Sequence, residues 1–271
     1  MNSVTFDHFE SDMISASSKD LAAGRIEKLR QILKQRRIVR IEELCAELDV
    51  SPATVRRDLA HMEDRGELRR VHGGAVVVES RLDEPLFDDK TGLAAAEKRR
   101  IAEAALKMIR PKDSVYLDGG STVLALAALL RERTDITVVT NSLRVVAELA
   151  GGGPPLIAVG GELRRLSQTF VGPLTRFTLE QIHVDKAFMG TIGLSPEAGL
   201  TTTDPREAYT KSLIMEHAQH VILLADSSKV GKLSFARFGS LEKVGTLITD
   251  KGIRPAAVKD FTKRKIKVVT V

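Results

Sequence analysis

The chain has 271 residues and a hydrophobic fraction of 43%, which suits two globular domains. Its formal net charge of +5 is compatible with nucleic-acid binding but does not require it. A single cysteine, Cys45, excludes an internal disulfide, and an aromatic content of 4% argues against a stacking platform for single-stranded nucleic acid. No apolar run approaches the roughly 20 residues that cross a bilayer, and the first residues lack a secretory leader. We therefore expect a cytoplasmic protein that makes no membrane contact.

Three amphipathic helices are the first elements that the sequence predicts, after a polar segment, residues 1–20, that we interpret as a flexible tail. The first two helices follow from apolar residues at helical spacing: Ile26, Leu29 and Leu33, then Ile41, Leu44, Cys45 and Leu48. At this spacing Cys45 is expected to be a small core residue rather than a redox thiol. A short break at residues 49–51 precedes the third helix, which predicts a helix-turn-helix.

The third helix carries the candidate DNA-reading surface. Ser51 is suited to cap this helix, and Pro52 fits its first position. Val55, Leu59 and Met62 form one apolar stripe. The stripe leaves these residues on the outer face: Ala53, Thr54, Arg56, Arg57, Ala60 and His61. Small residues between arginines let a helix enter a DNA major groove while the guanidinium groups reach bases or phosphates. The alternative is a solvated face that happens to carry two arginines.

A basic hairpin is predicted after the third helix, in E-L-R-R-V-H-G-G-A-V-V-V. Arg69, Arg70 and His72 of this hairpin are placed to contact a DNA backbone or minor groove. Upstream, residues 25–40 contain seven Lys or Arg residues and one acid, a local charge density that suits phosphate contact. Residues 21–76 are therefore predicted to form a winged helix-turn-helix that binds double-stranded DNA. The recognition helix would contact it through Ser51, Thr54, Arg56 and Arg57.

These motifs carry a family resemblance. The stretches V-S-P-A-T-V-R-R-D-L and L-R-R-V-H-G-G-A closely resemble the N-terminal domain of DeoR-type bacterial transcriptional repressors, and the likeness continues along nearly the whole chain. The sequence departs from the family at Arg37 and Lys112, which stand where the family often has glycine. The resemblance implies a DNA-binding regulator with a C-terminal effector domain.

The C-terminal part is predicted to be an α/β domain over residues 96–271, after a linker over residues 77–95. Pro85 and Gly92 interrupt the linker, and Leu86 and Phe87 are expected to dock it on the next domain. Near-continuous apolar runs with helices between most of them predict a doubly wound, mostly parallel α/β fold. The runs are V-Y-L-D, I-T-V-V-T, L-I-A-V-G, K-A-F-M-G, V-I-L-L-A-D, T-L-I-T-D and I-K-V-V-T-V.

Polar turns at the ends of four of these strands predict a ligand site, because ligands of open α/β sheets bind beyond the carboxyl ends of the strands. The turn after V-Y-L opens a helix whose free N–H groups suit a phosphate. The candidate residues are Asp118, Gly119, Gly120, Ser121, Thr122, Asn141, Ser142, Gly160, Gly161 and Lys229. Taken singly, a Gly-Gly pair is usually only a tight turn, and a lysine at a strand end is usually solvated.

The resemblance extends to this site. The C-terminal region resembles the effector domain of the same repressors, which is related to ribose-5-phosphate isomerase, and L-L-A-D-S-S-K is similar to that enzyme's substrate-binding lysine segment. A phosphorylated sugar is therefore the implied effector. Asp185, Asp204, Glu207 and Lys211 match family positions that flank the pocket. The alternative is that Asp204 caps a helix, Glu207 completes a capping box and Lys211 pairs with Glu207.

An enzyme is the main alternative to a switch. The acid pair of the isomerase family is missing from G-T-I-G-L-S-P-E-A-G, and Glu197 lies in a predicted exposed turn. His217 and His220 lack a convincing third metal ligand, so no metal or cofactor is expected. We predict a sugar-phosphate-responsive repressor of carbohydrate-metabolism genes that acts as a dimer or tetramer. The alternatives are an isomerase-like or deaminase-like enzyme tethered to DNA and a nonspecific chromosome-coating protein.

Overall fold

The computed structural model describes residues 24–33, 36, 38–65, 67–71, 73–77, 82 and 84–271. The chain divides into two compact units, Met1–Ser80 and Arg81–Val271. The predicted tail, Arg37 and the wing residue His72 lie outside the described residues.

The first unit is a winged helix-turn-helix, as predicted. Its elements are α1 (24–33), β1 (Ile38–Arg40), α2 (Ile41–Leu48), α3 (Pro52–Asp64), β2 (Leu68–Val71) and β3 (Gly74–Val77). The strands form an antiparallel sheet in the order β1-β3-β2. The apolar stripes of the three helices pack together, and Leu29, Leu44 and Leu59 are fully buried. Strand β1 was not predicted, because its three residues gain strand structure only by pairing with β3.

The second unit contains a seven-stranded parallel sheet in the order β15-β14-β12-β9-β4-β5-β6. Its strands are β4 (Ser114–Leu117), β5 (Thr137–Thr140), β6 (Leu156–Ala158), β9 (Val184–Met189), β12 (Ala218–Leu224), β14 (Thr246–Thr249) and β15 (Lys267–Thr270). Each corresponds to one of the seven predicted apolar runs. The helices of this unit are α4 (Phe87–Gly92), α5 (Ala95–Leu106), α6 (Ser121–Ala128), α7 (Leu143–Leu149), α8 (Arg176–Leu179), α9 (Pro205–Glu216) and α10 (Pro255–Lys263).

The strand order places a topological switch point between β4 and β9. From β4 the chain winds outward through β5 and β6, and from β9 it winds the opposite way through β12, β14 and β15. Two apolar clusters cover the two faces: Tyr116 belongs to one, and its neighbours Val115 and Leu117 belong to the other. The doubly wound fold is thus confirmed, and the switch point is where such folds bind ligands.

The second unit also contains short antiparallel strands outside the seven-stranded sheet, and these strands were not predicted. They are the hairpin of β7 (Glu162–Arg164) and β8 (Thr169–Val171), and a sheet of β10 (Gly193–Ser195), β11 (Gly199–Thr202) and β13 (Ala236–Gly239). Strands of three or four residues show too little alternation to be recognised before their partners are known. Glu197 lies in the exposed turn between β10 and β11, as predicted.

The segment before the sheet is only partly the linker that the sequence predicted. Phe87 is buried at the start of α4 and lies 5.4 Å from the guanidinium of Arg144, so it docks this segment on the α/β unit. The docking prediction is wrong for Leu86, whose side chain is exposed. Among the described residues, no helix is long and apolar enough to cross a membrane.

Candidate functional site

The recognition helix of the winged unit begins at a well-formed cap. The Ser51 hydroxyl accepts a hydrogen bond from the backbone N–H of Thr54 at 3.3 Å, and the two hydroxyls lie 3.0 Å apart. Both side chains therefore organise the first turn of α3. Any DNA contact that they make would come from the same turn that they stabilise.

The outer face of α3 presents its arginines to solvent. Arg56 and Arg57 are exposed, whereas Val55, Leu59 and Met62 are buried, as the helical spacing predicted. Sequence reasoning missed Asp58, a buried acidic residue that attaches the inner face of this helix to the rest of the unit. The Asp58 carboxylate accepts hydrogen bonds from the Arg25 guanidinium at 2.5 and 3.1 Å. This bidentate pair holds the recognition helix on α1.

The wing places its two described arginines in different settings. Arg69 is exposed on β2. The Arg70 guanidinium donates to Glu63 of α3 at 2.5 Å, and the Arg70 backbone N–H donates to the same carboxylate at 2.8 Å, which lowers the pKa of Glu63. A phosphate contact by Arg70 would have to compete with this ion pair, so Arg69 is the freer of the two for DNA.

In the α/β unit, the turn after β4 brings its polar residues to the switch point. Asp118 is buried, and its Oδ2 accepts a hydrogen bond from the backbone N–H of Gly190, after β9, at 2.9 Å. A Cβ at position 119 would lie 2.2 Å from the Thr169 side chain, so glycine is needed there. Gly120 has a φ of +128° and leads into α6, whose amino terminus has no side-chain cap.

The next strand end supplies an amide and a helix cap. The buried Asn141 side chain donates to the Phe170 carbonyl at 2.9 Å, while its Oδ1 is buried without a hydrogen-bond partner among the described residues. Ser142 caps α7 by accepting from the Val145 N–H at 3.3 Å. Ser142 therefore has a structural role, and Asn141 keeps an unused acceptor at this edge.

The remaining strand-end candidates are more open. Gly160 and Gly161 follow β6, and Lys229 ends a short 3-10 turn after β12, where it is half-buried. Asp226 accepts from the Ser228 N–H at 3.1 Å, which fixes this turn. All three candidates lie after the carboxyl ends of parallel strands, as the sequence predicted.

The prediction that Asp185 flanks this pocket is wrong. Asp185 is the second residue of β9 and lies at the amino-terminal edge of the sheet. Its Oδ2 accepts from the backbone N–H and the hydroxyl of Ser114, at the start of β4, at 2.7 and 2.6 Å. The carboxylate thus clamps the beginnings of two neighbouring strands, at the end of the sheet opposite Asp118.

A buried chain of charges lies beside the switch point. The Lys211 ammonium pairs with Asp118 and lies 3.7 Å from Glu207, while Arg164 lies 3.2 Å from Glu207. Asp204 caps α9 by accepting from the Arg206 N–H at 2.8 Å. The capping interpretation is confirmed for Asp204. The predicted pair of Lys211 with Glu207 is also present, at 3.7 Å. The capping box is wrong for the Glu207 side chain, which faces Lys211 and Arg164.

Sequence reasoning missed two members of this cluster. Arg164 on β7 contacts three carboxylates, and Glu84, which precedes α4, has a side chain that is only 1% exposed. Both residues stand in polar stretches that look solvated in sequence. Their partners are far away along the chain, so no local signal marks them.

Burial sets the protonation tendencies in the cluster. Burial raises the pKa of Glu207 above its ordinary value, although Lys211 and Arg164 favour its ionised form. Burial alone would lower the pKa of Lys211, but Asp118 and Glu207 outweigh it and raise that pKa. Lys211 is therefore held as a cation at neutral pH. No group of three or more His, Cys, Asp or Glu residues in the described part of the chain is placed to hold a metal.

Comparison with known proteins assigns both units. Residues 25–81 match the DeoR-like helix-turn-helix domain, and residues 93–251 match the DeoR C-terminal sensor domain. The chain belongs to the DeoR family of transcriptional regulators. This DeoR chain combines a winged helix-turn-helix with an α/β unit that contains the residues matching the sensor domain.

Relatives of this DeoR protein match along most of their length. A putative aga operon transcriptional repressor of Escherichia coli O157:H7 is 34% identical over 94% of this chain and 97% of its own. The lactose phosphotransferase system repressor of Streptococcus mutans is 34% identical over 83% of this chain and 91% of its own. Among solved structures, ribose 5-phosphate isomerase A of Methanocaldococcus jannaschii aligns with 49% of this chain and 53% of its own, with 18% identity and a TM-score of 0.38.

Proposed function

We propose that this DeoR regulator represses genes of carbohydrate metabolism and that a phosphorylated sugar changes its affinity for double-stranded operator DNA. The observation that carries the effector half is the amino terminus of α6, which lacks a side-chain cap and lies at the sheet switch point beside the buried pair of Asp118 and Lys211. A helix amino terminus with free N–H groups attracts a phosphate.

The surroundings of α6 supply further polar groups for a sugar. Ser121 and Thr122 begin the helix, and Lys229 ends the short turn that follows β12. The buried Asn141 Oδ1 has no hydrogen-bond partner among the described residues. Hydroxyl and amide groups suit sugar hydroxyls, and an ammonium group suits a phosphate. The names of relatives, among them a lactose phosphotransferase system repressor, support a role in sugar metabolism.

The DNA half of the proposal rests on the exposed face of α3. Arg25 and Arg70 are held to the fold by ion pairs, whereas Arg56 and Arg57 are exposed and make no ion pair within the described part of the chain. The exposed Arg69 would hold a phosphate from the wing. One winged domain binds weakly, so we propose that the protein binds paired half-sites as a dimer or larger homo-oligomer.

We propose binding without turnover. A sugar isomerase needs a free, positioned base, whereas the Asp118 carboxylate is engaged by Lys211 and the Gly190 N–H. Glu207, buried beside Lys211, favours an isomerase-like enzyme instead. Incubation with ribose 5-phosphate tests this alternative: product formation would support the enzyme.

The effector half is tested by isothermal titration of the full chain with a panel of phosphorylated sugars. One sugar phosphate should bind, and Lys229→Ala should abolish that binding while leaving DNA binding intact, because the phosphate loses a cation. Lys263→Ala, which removes an exposed lysine from the end of α10, is the matched control and should bind normally. Normal binding by Lys229→Ala would exclude that residue, and no binding by the wild type would refute the effector proposal.

A further inference from the structure

The Glu84 carboxylate is held in the way that proteins hold a bound anion. Its Oε2 accepts hydrogen bonds from the Arg164 guanidinium at 2.7 Å and from the Thr203 hydroxyl at 2.5 Å, and its Oε1 accepts from the Lys90 ammonium at 2.6 Å. Two cations and a hydroxyl around one buried carboxylate form a complete anion site. The occupant of that site is part of the chain itself.

This anion site is joined to the switch point by consecutive charge contacts. Asp118 pairs with Lys211, and Lys211 lies 3.7 Å from Glu207. Glu207 lies 3.2 Å from Arg164, and Arg164 holds Glu84. The two ends of the cluster therefore belong to one continuous polar interior, which runs from the carboxyl end of β4 to the segment before α4.

The carboxylates of this interior disfavour an additional anion beside them. The ion pairs join four carboxylates to three largely buried cations, namely Asp118, Glu207, Glu84 and Asp204 to Lys211, Arg164 and Lys90. A further buried cation, Lys98, donates to the Lys90 carbonyl. Arg206, which also pairs with Asp204, is exposed. A further acidic group at Arg164 and Lys90 would meet the Glu84 carboxylate, which already occupies them, and would be repelled unless Glu84 left. Asp118 lies at the end of β4, Asp204 is the cap of α9, and Glu207 lies in the first turn of α9. Of the four carboxylates, only that of Glu84 lies outside such a position.

We propose that Arg164, Thr203 and Lys90 form a second anion subsite of the effector pocket, which Glu84 fills until an effector displaces it. This rests on the proposed function, in which the first phosphate lies at the amino terminus of α6. The effector class is then a phosphorylated sugar that carries a second acidic group, either another phosphate or a carboxylate. Glu84 follows β3 of the DNA-binding unit in the chain and precedes α4.

The test counts inorganic phosphate bound per chain by equilibrium dialysis of the full-length protein. The wild type should bind one phosphate, at α6. Glu84→Gln removes the competing carboxylate and should bind two. Adding Arg164→Gln to Glu84→Gln should return the count to one. The matched control is Asp88→Asn, which removes an exposed carboxylate from the same segment and should bind one.

The change in Tm on adding phosphate is a second readout, which still tests the proposal if Glu84→Gln folds less stably than the wild type. Phosphate supplies the anion that Arg164 and Lys90 have lost, so it should raise the Tm of Glu84→Gln by more than it raises the Tm of the wild type or Asp88→Asn. One phosphate in Glu84→Gln, with no extra gain in Tm, would overturn the second subsite and leave the proposed effector pocket standing. No phosphate in any variant would overturn both.

A comparison of sugars then distinguishes the two acidic groups. Fructose 6-phosphate, fructose 1,6-bisphosphate and 6-phosphogluconate offer one phosphate, two phosphates, and a phosphate with a carboxylate. The account predicts at least tenfold tighter binding of one diacid than of the monophosphate, and loss of that preference in Arg164→Gln. Equal binding of all three sugars by the wild type would contradict the assigned effector class.

Discussion

Lys211 and Asp118 form an ion pair at the switch point although they are 93 positions apart in the chain. Their side chains are only 3% and 2% exposed. Desolvation of two charges offsets much of the attraction between them, so such a pair contributes little net stability. Its presence beside the proposed phosphate site fits a functional role better than a stabilising one.

Breaking this pair should be costly, because it leaves one charge buried without a partner. Lys211→Met should lower the free energy of unfolding of the α/β unit by about 3–5 kcal/mol. The double variant Asp118→Asn, Lys211→Met should recover most of the loss. Urea unfolding of the full chain, followed through the transition of the α/β unit, measures both. A single variant as stable as the wild type would show that the charge is not buried.

Arg57 on the outer face of α3 should contribute directly to DNA affinity. Arg57→Ala should weaken binding to the protein's own upstream DNA by roughly 1–3 kcal/mol if the guanidinium reads a base. The control is Arg99→Ala, which removes an exposed arginine paired with Glu103 in the α/β unit. Fluorescence anisotropy at one salt concentration compares the two. Unchanged affinity in a folded Arg57→Ala protein would remove this residue from the DNA surface.

Asp204 should make part of the stability depend on pH. Burial opposes ionisation of this carboxyl, but hydrogen bonds from Arg206 outweigh it and lower its pKa to about 2. A carboxyl whose folded-state pKa is lowered stabilises the fold above its unfolded pKa of about 4 and loses that contribution as the pH falls to about 2. The Tm advantage of the wild type over Asp204→Asn, which keeps a capping side chain, should shrink from pH 6 to pH 3. A constant difference would contradict the assignment.

Lys112 has a φ of +70°, in the left-handed region that favours glycine. The left-handed backbone costs a non-glycine residue roughly 1–2 kcal/mol, and glycine's larger entropy loss on folding offsets about 0.5–1 kcal/mol of the gain. Lys112→Gly should therefore stabilise the chain by about 0.5 kcal/mol in urea unfolding. Lys107→Gly, at an exposed lysine with a φ of −64°, should destabilise it. A less stable Lys112→Gly would refute the strain argument.

The large elements of the fold could be predicted because each has a strong local signal. All seven strands of the parallel sheet are apolar runs, and the five inner strands are mostly buried, whereas the edge strands β6 and β15 are not. The recognition helix has both a cap and a regular apolar stripe. The rule that ligands bind at carboxyl strand ends found Asp118 and Asn141. Asp185 was expected at the pocket only from the family resemblance, and the structure places it at the amino end of β9, where that rule predicts no ligand.

The rest of the candidate site depends on contacts across long sequence distances. Arg164 meets Glu84 from 80 positions away, and Thr203 meets Glu84 from 119 positions away. In sequence, an arginine in a polar hairpin and a glutamate in a polar linker both resemble solvated residues. Only tertiary structure buries them together, so their role could not be inferred from spacing or composition.

The most direct test of the account is the affinity of the full-length protein for its own upstream DNA and for random DNA, measured at one physiological salt concentration with and without phosphorylated sugars. Salt is held constant because phosphate contacts make affinity steeply salt-dependent. The account predicts a clear preference for the upstream DNA and at least a tenfold change in that affinity with one sugar phosphate. Equal affinity for both DNAs, or a specific affinity that no sugar phosphate changes, would contradict it.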